Sequence, residues 1–231
     1  LRDHSRAAWY NSLYRLRVRT GMWTAAVVSC LILVAAALLI GPLRGHARSA
    51  VVLLAPLATL WAVWQVPDGV VFDLPFLDYR IEPLEGSPVR RLFATIFAGM
   101  ALVGGLYAFR QAKWYELAAA YAYAAGAVGV SFAGDLISLF LYWEVMALFS
   151  TVVVWCGGTP AARAAGIRYA VMHLLGGVIL KVGIEGVVVH TGSIDVQPML
   201  ANNFDTWMML IGILINAAAP PVSAWLADSY P

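Results

Sequence analysis

The sequence has few charged residues and no long polar segment. Charged residues make up 12% of its 231 residues and hydrophobic residues 61%, whereas soluble domains average roughly 25% charged residues. No hydrophilic block is large enough to fold as a separate soluble domain. We therefore predict a polytopic membrane protein with one helical transmembrane domain.

The sequence also lacks the usual motifs of metal, redox and nucleotide chemistry. Cys30 and Cys156 are its only cysteines, and both lie in apolar segments, which excludes a disulfide framework or cysteine metal cluster. It contains no CxxC, HExxH, GxGxxG or P-loop motif, so redox or nucleotide chemistry would require other subunits. The basic residues are dispersed and do not form a nucleic-acid patch. We predict no cofactor, no metal, no nucleic-acid partner and no enzymatic activity.

Seven apolar segments are long enough to cross a bilayer, which requires roughly 20 residues each. They are Met22–Gly41, Ala50–Val66, Leu92–Phe109, Tyr115–Ala133, Asp135–Cys156, Ala164–Val189 and Trp207–Leu226. We predict an all-α bundle of about seven spans over residues 22–231. The preceding basic segment, Leu1–Gly21, is either an interfacial amphipathic helix or a solvated tail.

Prolines and a capping residue mark the boundaries of these spans. Pro220 and Pro221 remove backbone donors and clash with the preceding turn, so the seventh span should be broken near Asn216–Pro221. Asn216 either contacts water or a proton relay there, or only terminates the helix. The polar connection Pro67–Arg91 contains four prolines and is the longest predicted extramembrane segment. Asp135 can cap the fifth span.

Lysine and arginine are concentrated in alternate loops, which indicates an orientation. Positive loops favour the cytoplasm, which places the loops after the first, third and fifth spans there and the N-terminus outside. These loops contain Arg44, Arg48, Arg110, Lys113, Arg163 and Arg168. The five arginines of Leu1–Gly21 favour the opposite orientation, so the sequence leaves the orientation open.

Glu144 lies near the middle of the fifth span. A carboxylate at the membrane centre costs about 2.5 kcal/mol or more on insertion scales, so an acid there is by default a candidate functional residue. We interpret Glu144 as a proton-exchanging group. The alternative is a neutral carboxylic acid that hydrogen-bonds a neighbouring helix.

The sixth span contains His173, Gly177, Lys181 and Glu185 at intervals of four residues, a spacing that places them along one stripe of a helix. A lysine at this depth loses its proton easily unless an acid lies beside it. Lys181 could therefore store a proton, with Glu185 one turn away or Glu144 on the fifth helix as its partner. A static Lys181–Glu185 pair remains an alternative. His173 is either a relay residue or a buried structural histidine.

Two motifs carry a family resemblance that extends from about Tyr79 to Pro231. The run LFLYWEVM at residues 139–146 and the run AWLADSYP at residues 224–231 resemble the antiporter-like proton-translocating subunits of Mrp-type cation/proton antiporters, respiratory complex I and membrane-bound hydrogenases. The resemblance implies that Glu144 occupies the position of the family's key glutamate. It also implies a fold of about fourteen helices in two inverted repeats, of which this chain would contain part of the first.

The resemblance has a departure at the broken helix. Many family members have a lysine there, where this chain has Asn216, and often a histidine where it has Ser223. We expect Lys181 to supply the missing amine. The resemblance further implies a multi-pass location in the inner (plasma) membrane, other membrane subunits as partners, and protons, with or without Na⁺, as transported ions.

These observations favour a proton-translocating subunit of a multi-subunit Na⁺/proton antiporter, in which Glu144 and Lys181 exchange charge while His173, Glu185 and Asn216 are possible relay residues. Two alternatives remain. One is a membrane-arm subunit of a redox-driven proton pump. The other is a degenerate structural subunit that anchors its neighbours.

Overall fold

The computed structural model describes residues 29–229, which form eight helices and one two-stranded sheet. In chain order these elements are α1 (Ser29–Ile40), α2 (Gly45–Val63), β1 (Gly69–Phe76), β2 (Tyr79–Gly86), α3 (Pro88–Ala108), α4 (Trp114–Phe132), α5 (Leu136–Trp155), α6 (Pro160–Thr191), α7 (Phe204–Asn216) and α8 (Ala224–Ser229). The predicted basic segment Leu1–Gly21 and the start of the first predicted span lie outside the described residues.

Four described helices, α2, α3, α5 and α6, are long and apolar enough to cross a membrane. Most residues of these spans are not buried within the chain, as expected for helices that face lipid or other subunits. Helices α1 and α7 are apolar but shorter. The chain is thus a mostly helical membrane protein, while the count of seven spans remains a prediction.

A β-hairpin occupies the connection between α2 and α3. Strands β1 and β2 pair antiparallel, with Gly69 opposite Gly86 and Phe76 opposite Tyr79. The hairpin corrects the all-α prediction, which treated the prolines of this connection only as helix breakers. In a two-stranded sheet both strands are edge strands, where Pro75 and Pro83 need not donate to the ladder. The hairpin contacts the ends of α4 and α5.

Asp135 fixes the start of α5, as its predicted capping role requires. Its buried carboxylate accepts hydrogen bonds from the backbone N–H groups of Ile137 at 2.9 Å and Ser138 at 2.8 Å. It also accepts a bond from the N–H of Glu82 in β2 at 2.6 Å. One carboxylate thus joins the hairpin to the first turn of α5. These hydrogen bonds help to fix the position of α5, and with it the depth of Glu144 in the membrane.

The apolar core has two main parts. Buried side chains of α1–α4 and the hairpin form the larger one, and a smaller one lies between α5 and α6. Glycines then let α6 and α7 approach closely. A Cβ on Gly183 would overlap the backbone of Met209, and one on Gly212 would overlap Leu180. Small residues at these contacts therefore allow the two helices to pack closely.

The predicted seventh span is not one continuous helix. Helix α7 ends at Asn216, Ala218 has a left-handed φ of 54°, the Pro220–Pro221 peptide is cis, and α8 begins at Ala224. Helix α7 therefore ends before the two prolines. That α7 and α8 together form one interrupted crossing remains a prediction.

Candidate functional site

Glu144 and Gly177 meet near the midpoints of α5 and α6. The half-buried Glu144 side chain lies directly against the α6 backbone, because a Cβ on Gly177 would collide with its Oε1 atom. Among the described residues, Glu144 forms no ion pair. The carboxylate thus occupies space that any larger residue at position 177 would fill.

His173 lies one helical turn before Gly177 on the same face of α6. Its ring stacks on Tyr169, with centroids 4.2 Å apart, and meets the Trp225 ring of α8 edge-on at 4.9 Å. The Tyr169 hydroxyl donates a hydrogen bond to Ser150 of α5 at 2.8 Å. These contacts hold the imidazole at the junction of α5, α6 and α8.

Asn216, the last residue of α7, faces the same turn of α6. It is buried, and a Cβ on Gly176 would collide with its Oδ1 atom. Gly176 and Gly177 are consecutive residues, so Asn216 and Glu144 contact adjacent positions of one helix. Three predicted site residues thus lie along one stretch of α6, with Glu144 against Gly177, Asn216 against Gly176, and His173 one turn earlier on the helix itself.

Several buried polar atoms of this cluster have no hydrogen-bond partner within the described protein. They are both ring nitrogens of His173, both amide atoms of Asn216 and the indole nitrogen of Trp225. Leaving such an atom unpaired costs about 1–3 kcal/mol, so native proteins usually pair them with protein groups or ordered water. We refer to Glu144, His173, Asn216 and Trp225 as the polar cluster. Its composition suits a small hydrated site inside an apolar bundle.

Lys181 lies one turn beyond Gly177, but its amine pairs with Glu185. Both side chains are more than half exposed on the outer surface of α6, at 51% and 63%. In the middle of a membrane helix such charges face water or another protein rather than lipid. The described contacts of Lys181 do not include Glu144, so an exchange between these residues remains a prediction.

A second side-chain pair lies near the C-terminal end of α6 and was not predicted. His190 Nδ1 lies 2.6 Å from Oδ2 of Asp205, and the carboxylate is largely buried. The pair borders a polar cavity of about 370 Å³ under the α6–α7 loop. Local sequence patterns do not indicate this pairing, because it joins residues fifteen positions apart whose helices meet only in the folded chain.

Acidic groups also gather beside the hairpin on the extramembrane surface. Partial burial, together with the charges of Glu85, Asp195, Asp135 and Asp73, raises the pKa of Glu82 above its ordinary value of 4.5. Backbone hydrogen bonds join residues 133–136 to residues 194–196 here: the Leu136 N–H donates to the Ile194 carbonyl, and the Val196 N–H donates to the Gly134 carbonyl. The α4–α5 turn and the α6–α7 loop therefore lie at the same end of the bundle as the hairpin.

Comparisons with known proteins agree with this architecture. Residues 133–231 match the family model described as NADH:quinone oxidoreductase/Mrp antiporter, TM. The match contains every predicted site residue from Glu144 to Pro221. A curated relative, a Na(+)/H(+) antiporter subunit of Alkalihalophilus pseudofirmus, is 24% identical over 186 residues, covering 72% of this chain and 34% of the relative.

Two further similar proteins are a NADH-quinone oxidoreductase subunit and a chain of an Mrp complex. NADH-quinone oxidoreductase subunit N of Deinococcus radiodurans is 25% identical over 159 residues, covering 59% of this chain and 32% of the relative. A chain in the structure of the Mrp complex from Dietzia sp. DQ12-45-1b superposes with a TM-score of 0.74 at 21% identity, over 90% of this chain and 25% of that chain. The present chain spans about a third of the length of the curated relatives it matches. Residues 133–231 thus match this family's domain, and the chain is similar in sequence and fold to antiporter-like membrane subunits of Mrp complexes and complex I.

Proposed function

We propose that this chain is a proton-conducting subunit of a multi-subunit cation (Na⁺)/proton antiporter in the plasma membrane, with Glu144 as its central proton-exchanging group. The observation that carries the proposal is the polar cluster. It contains a carboxylate that meets α6 at Gly177, an amide that meets α6 at Gly176, and an imidazole one turn earlier on the same helix.

Each member of the cluster supplies one property that proton transfer needs. Glu144 takes up and releases a proton, and the two ring nitrogens of His173 can donate and accept hydrogen bonds along a proton path. Asn216 donates and accepts hydrogen bonds without changing charge, which suits it to hold water. The irregular backbone after Asn216 is acceptable at membrane depth where it borders protein or a hydrated cavity.

Lys181 couples the cluster to the outer face of α6. In a helix each Cα–Cβ bond leans towards the N-terminus, so the Lys181 stem starts on the side of Gly177 and Glu144. We propose that the amine alternates between Glu185 and Glu144. Protonation of either carboxylate weakens its attraction for the amine and releases Lys181 to the other. Charge movement and proton transfer are then linked.

Transport by the assembled complex in sealed vesicles tests this proposal. Glu144→Gln should abolish proton transport, and Lys181→Ala should reduce it strongly, while both variant subunits still co-purify with their partners. Glu116→Gln is the matched control, because this acid lies in the first turn of α4 outside the cluster. Wild-type transport in both test variants would refute the proposal. Loss of assembly with intact transport of the remaining complex would support the structural-subunit alternative.

Membership of a redox-driven proton pump is the second candidate, because the similar proteins include a complex I subunit as well as Mrp subunits. The same cluster would then move protons with energy from another subunit. Purification of the native complex distinguishes the two, since partners of a redox pump carry iron–sulfur or nickel–iron centres that are visible by electron paramagnetic resonance.

A further inference from the structure

A deep apolar groove runs between α1, α4 and α5, on the other side of α5 from α6. Its volume is about 580 Å³, and its walls are almost entirely apolar. Small residues of α4, including Ala118, Ala122 and Gly126, form its floor because they leave space between the two flanking helices. The polar cluster does not border it.

The two ends of the groove differ. At one end lie Leu38, Trp114 and Tyr115, where the α1–α2 and α3–α4 turns meet, since the Trp114 ring packs within 3.3 Å of the Cβ position of Gly41. Tryptophan and tyrosine in such positions mark the membrane–water interface. At the other end Cys30 and Tyr142 lie deeper among the helices. The groove therefore extends from the interface into the hydrocarbon region.

Positive charge lies at the interfacial end. The Lys113 amine is 5.7 Å from the centroid of the Tyr115 ring, which lines the groove. Arg110 lies three residues earlier in the same turn, with its guanidinium over the Phe109 ring at 5.2 Å. Neither residue has an ion pair among the described residues. An apolar slot below exposed basic residues matches the two parts of an anionic phospholipid.

We propose that the groove binds an anionic diacyl phospholipid, with one acyl chain between α1, α4 and α5 and the phosphate beside Lys113 and Arg110. The apolar walls accept the chain in place of bulk lipid, and the basic residues select the headgroup charge. The ligand also fills a space beside α5, so it would hold the helix that carries Glu144 against α6. Lipid binding in this groove does not require that the polar cluster conducts protons.

A neighbouring groove lies between α3 and α4. That groove is also apolar and has a volume of about 330 Å³. It is smaller and is lined by neither Trp114 nor Tyr115, so it lacks the interfacial ring next to the Lys113 amine. An alanine-to-leucine substitution can therefore be made in either groove. We expect only the one in the groove between α1, α4 and α5 to weaken lipid binding.

Native mass spectrometry of the purified complex, titrated with phosphatidylglycerol or phosphatidylcholine, tests the site. The wild-type complex should retain phosphatidylglycerol preferentially. Ala122→Leu, which fills the groove, should lower its affinity at least tenfold, whereas Ala120→Leu in the α3–α4 groove should not. Lys113→Gln should lower the affinity for phosphatidylglycerol about fivefold and leave that for phosphatidylcholine unchanged.

Three results would overturn the proposal. One is equal retention of the two lipids by the wild-type complex, and another is undiminished phosphatidylglycerol binding by Ala122→Leu. The third is a helix of another subunit seated in the groove, detected as a disulfide between Ala122→Cys and a cysteine of that subunit. Circular dichroism and co-purification of partners confirm that each variant is folded and assembled.

Discussion

Adding one methyl group at Gly177 should disable the carboxylate of Glu144 without unfolding the protein. The added Cβ would overlap Glu144 Oε1, which is the movable end of a flexible side chain. Overpacking costs about 1–3 kcal/mol, and replacing a helical glycine by alanine returns about 0.5–1 kcal/mol. The net loss of stability should therefore be small, while the carboxylate moves away from the α6 backbone.

If proton transfer depends on that position, a displacement costing about 1.4 kcal/mol at the transfer step lowers transport about tenfold. The assay is proton transport by the assembled complex in sealed vesicles. Gly99→Ala in α3 is the matched control, because a Cβ there meets nothing within 4 Å. A second variant pair tests the contact itself. Aspartate is one methylene shorter than glutamate, so Gly177→Ala should cost less in the Glu144→Asp background than in the wild type. Equal transport by Gly177→Ala and Gly99→Ala would refute the reasoning.

Three further predictions concern other parts of the molecule. His173→Phe keeps the ring contacts with Tyr169 and Trp225 but removes two buried nitrogens that have no partner among the described residues, so the variant should be no less stable than the wild type in thermal unfolding while vesicle transport falls; unchanged transport would exclude His173 from the relay. Asp135→Ala removes the acceptor of three backbone N–H groups and should destabilise the protein by about 2–4 kcal/mol in thermal unfolding, whereas Asp195→Ala should not. The pKa of Glu82 in the folded protein is raised above 4.5, so the folded state binds this proton more tightly than the unfolded state, and the contribution of Glu82 to stability falls as the pH rises from 4.5 through the folded pKa. Glu82→Gln should therefore be more stable than the wild type above that pH range and equally stable below it. Parallel stability–pH curves for the two proteins would contradict the raised pKa.

Local sequence patterns predicted much of this fold. Hydropathy located α2–α6 within a few residues of their observed ends, because a membrane helix satisfies its own backbone hydrogen bonds. The capping role of Asp135 followed from the short turn before it. The two prolines predicted a break in the seventh span, and α7 ends at Asn216, before them; one interrupted crossing formed by α7 and α8 stays a prediction. Glu144 stood out because a charge at that depth is costly wherever its partners lie.

Features that depend on contacts between distant residues could not be predicted from the sequence. The spacing of α6 placed His173, Lys181 and Glu185 on one stripe, but the structure turns His173 inward against Trp225 and leaves Lys181 and Glu185 on the outer surface. A period of four drifts around a helix of 3.6 residues per turn, so neighbours decide which members are buried. The hairpin, the role of Trp225 and the His190–Asp205 pair depend on such contacts in the same way.

The presence of ordered water in the polar cluster tests most directly the central claim, that this cluster conducts protons. Cryo-electron microscopy of the assembled complex, at a resolution that shows ordered water, would observe it. We predict waters bonded to the Asn216 amide and to a His173 ring nitrogen, connected to the Glu144 carboxylate. A dry cluster, with apolar side chains sealing Glu144 from both residues, would contradict proton conduction through this part of the chain.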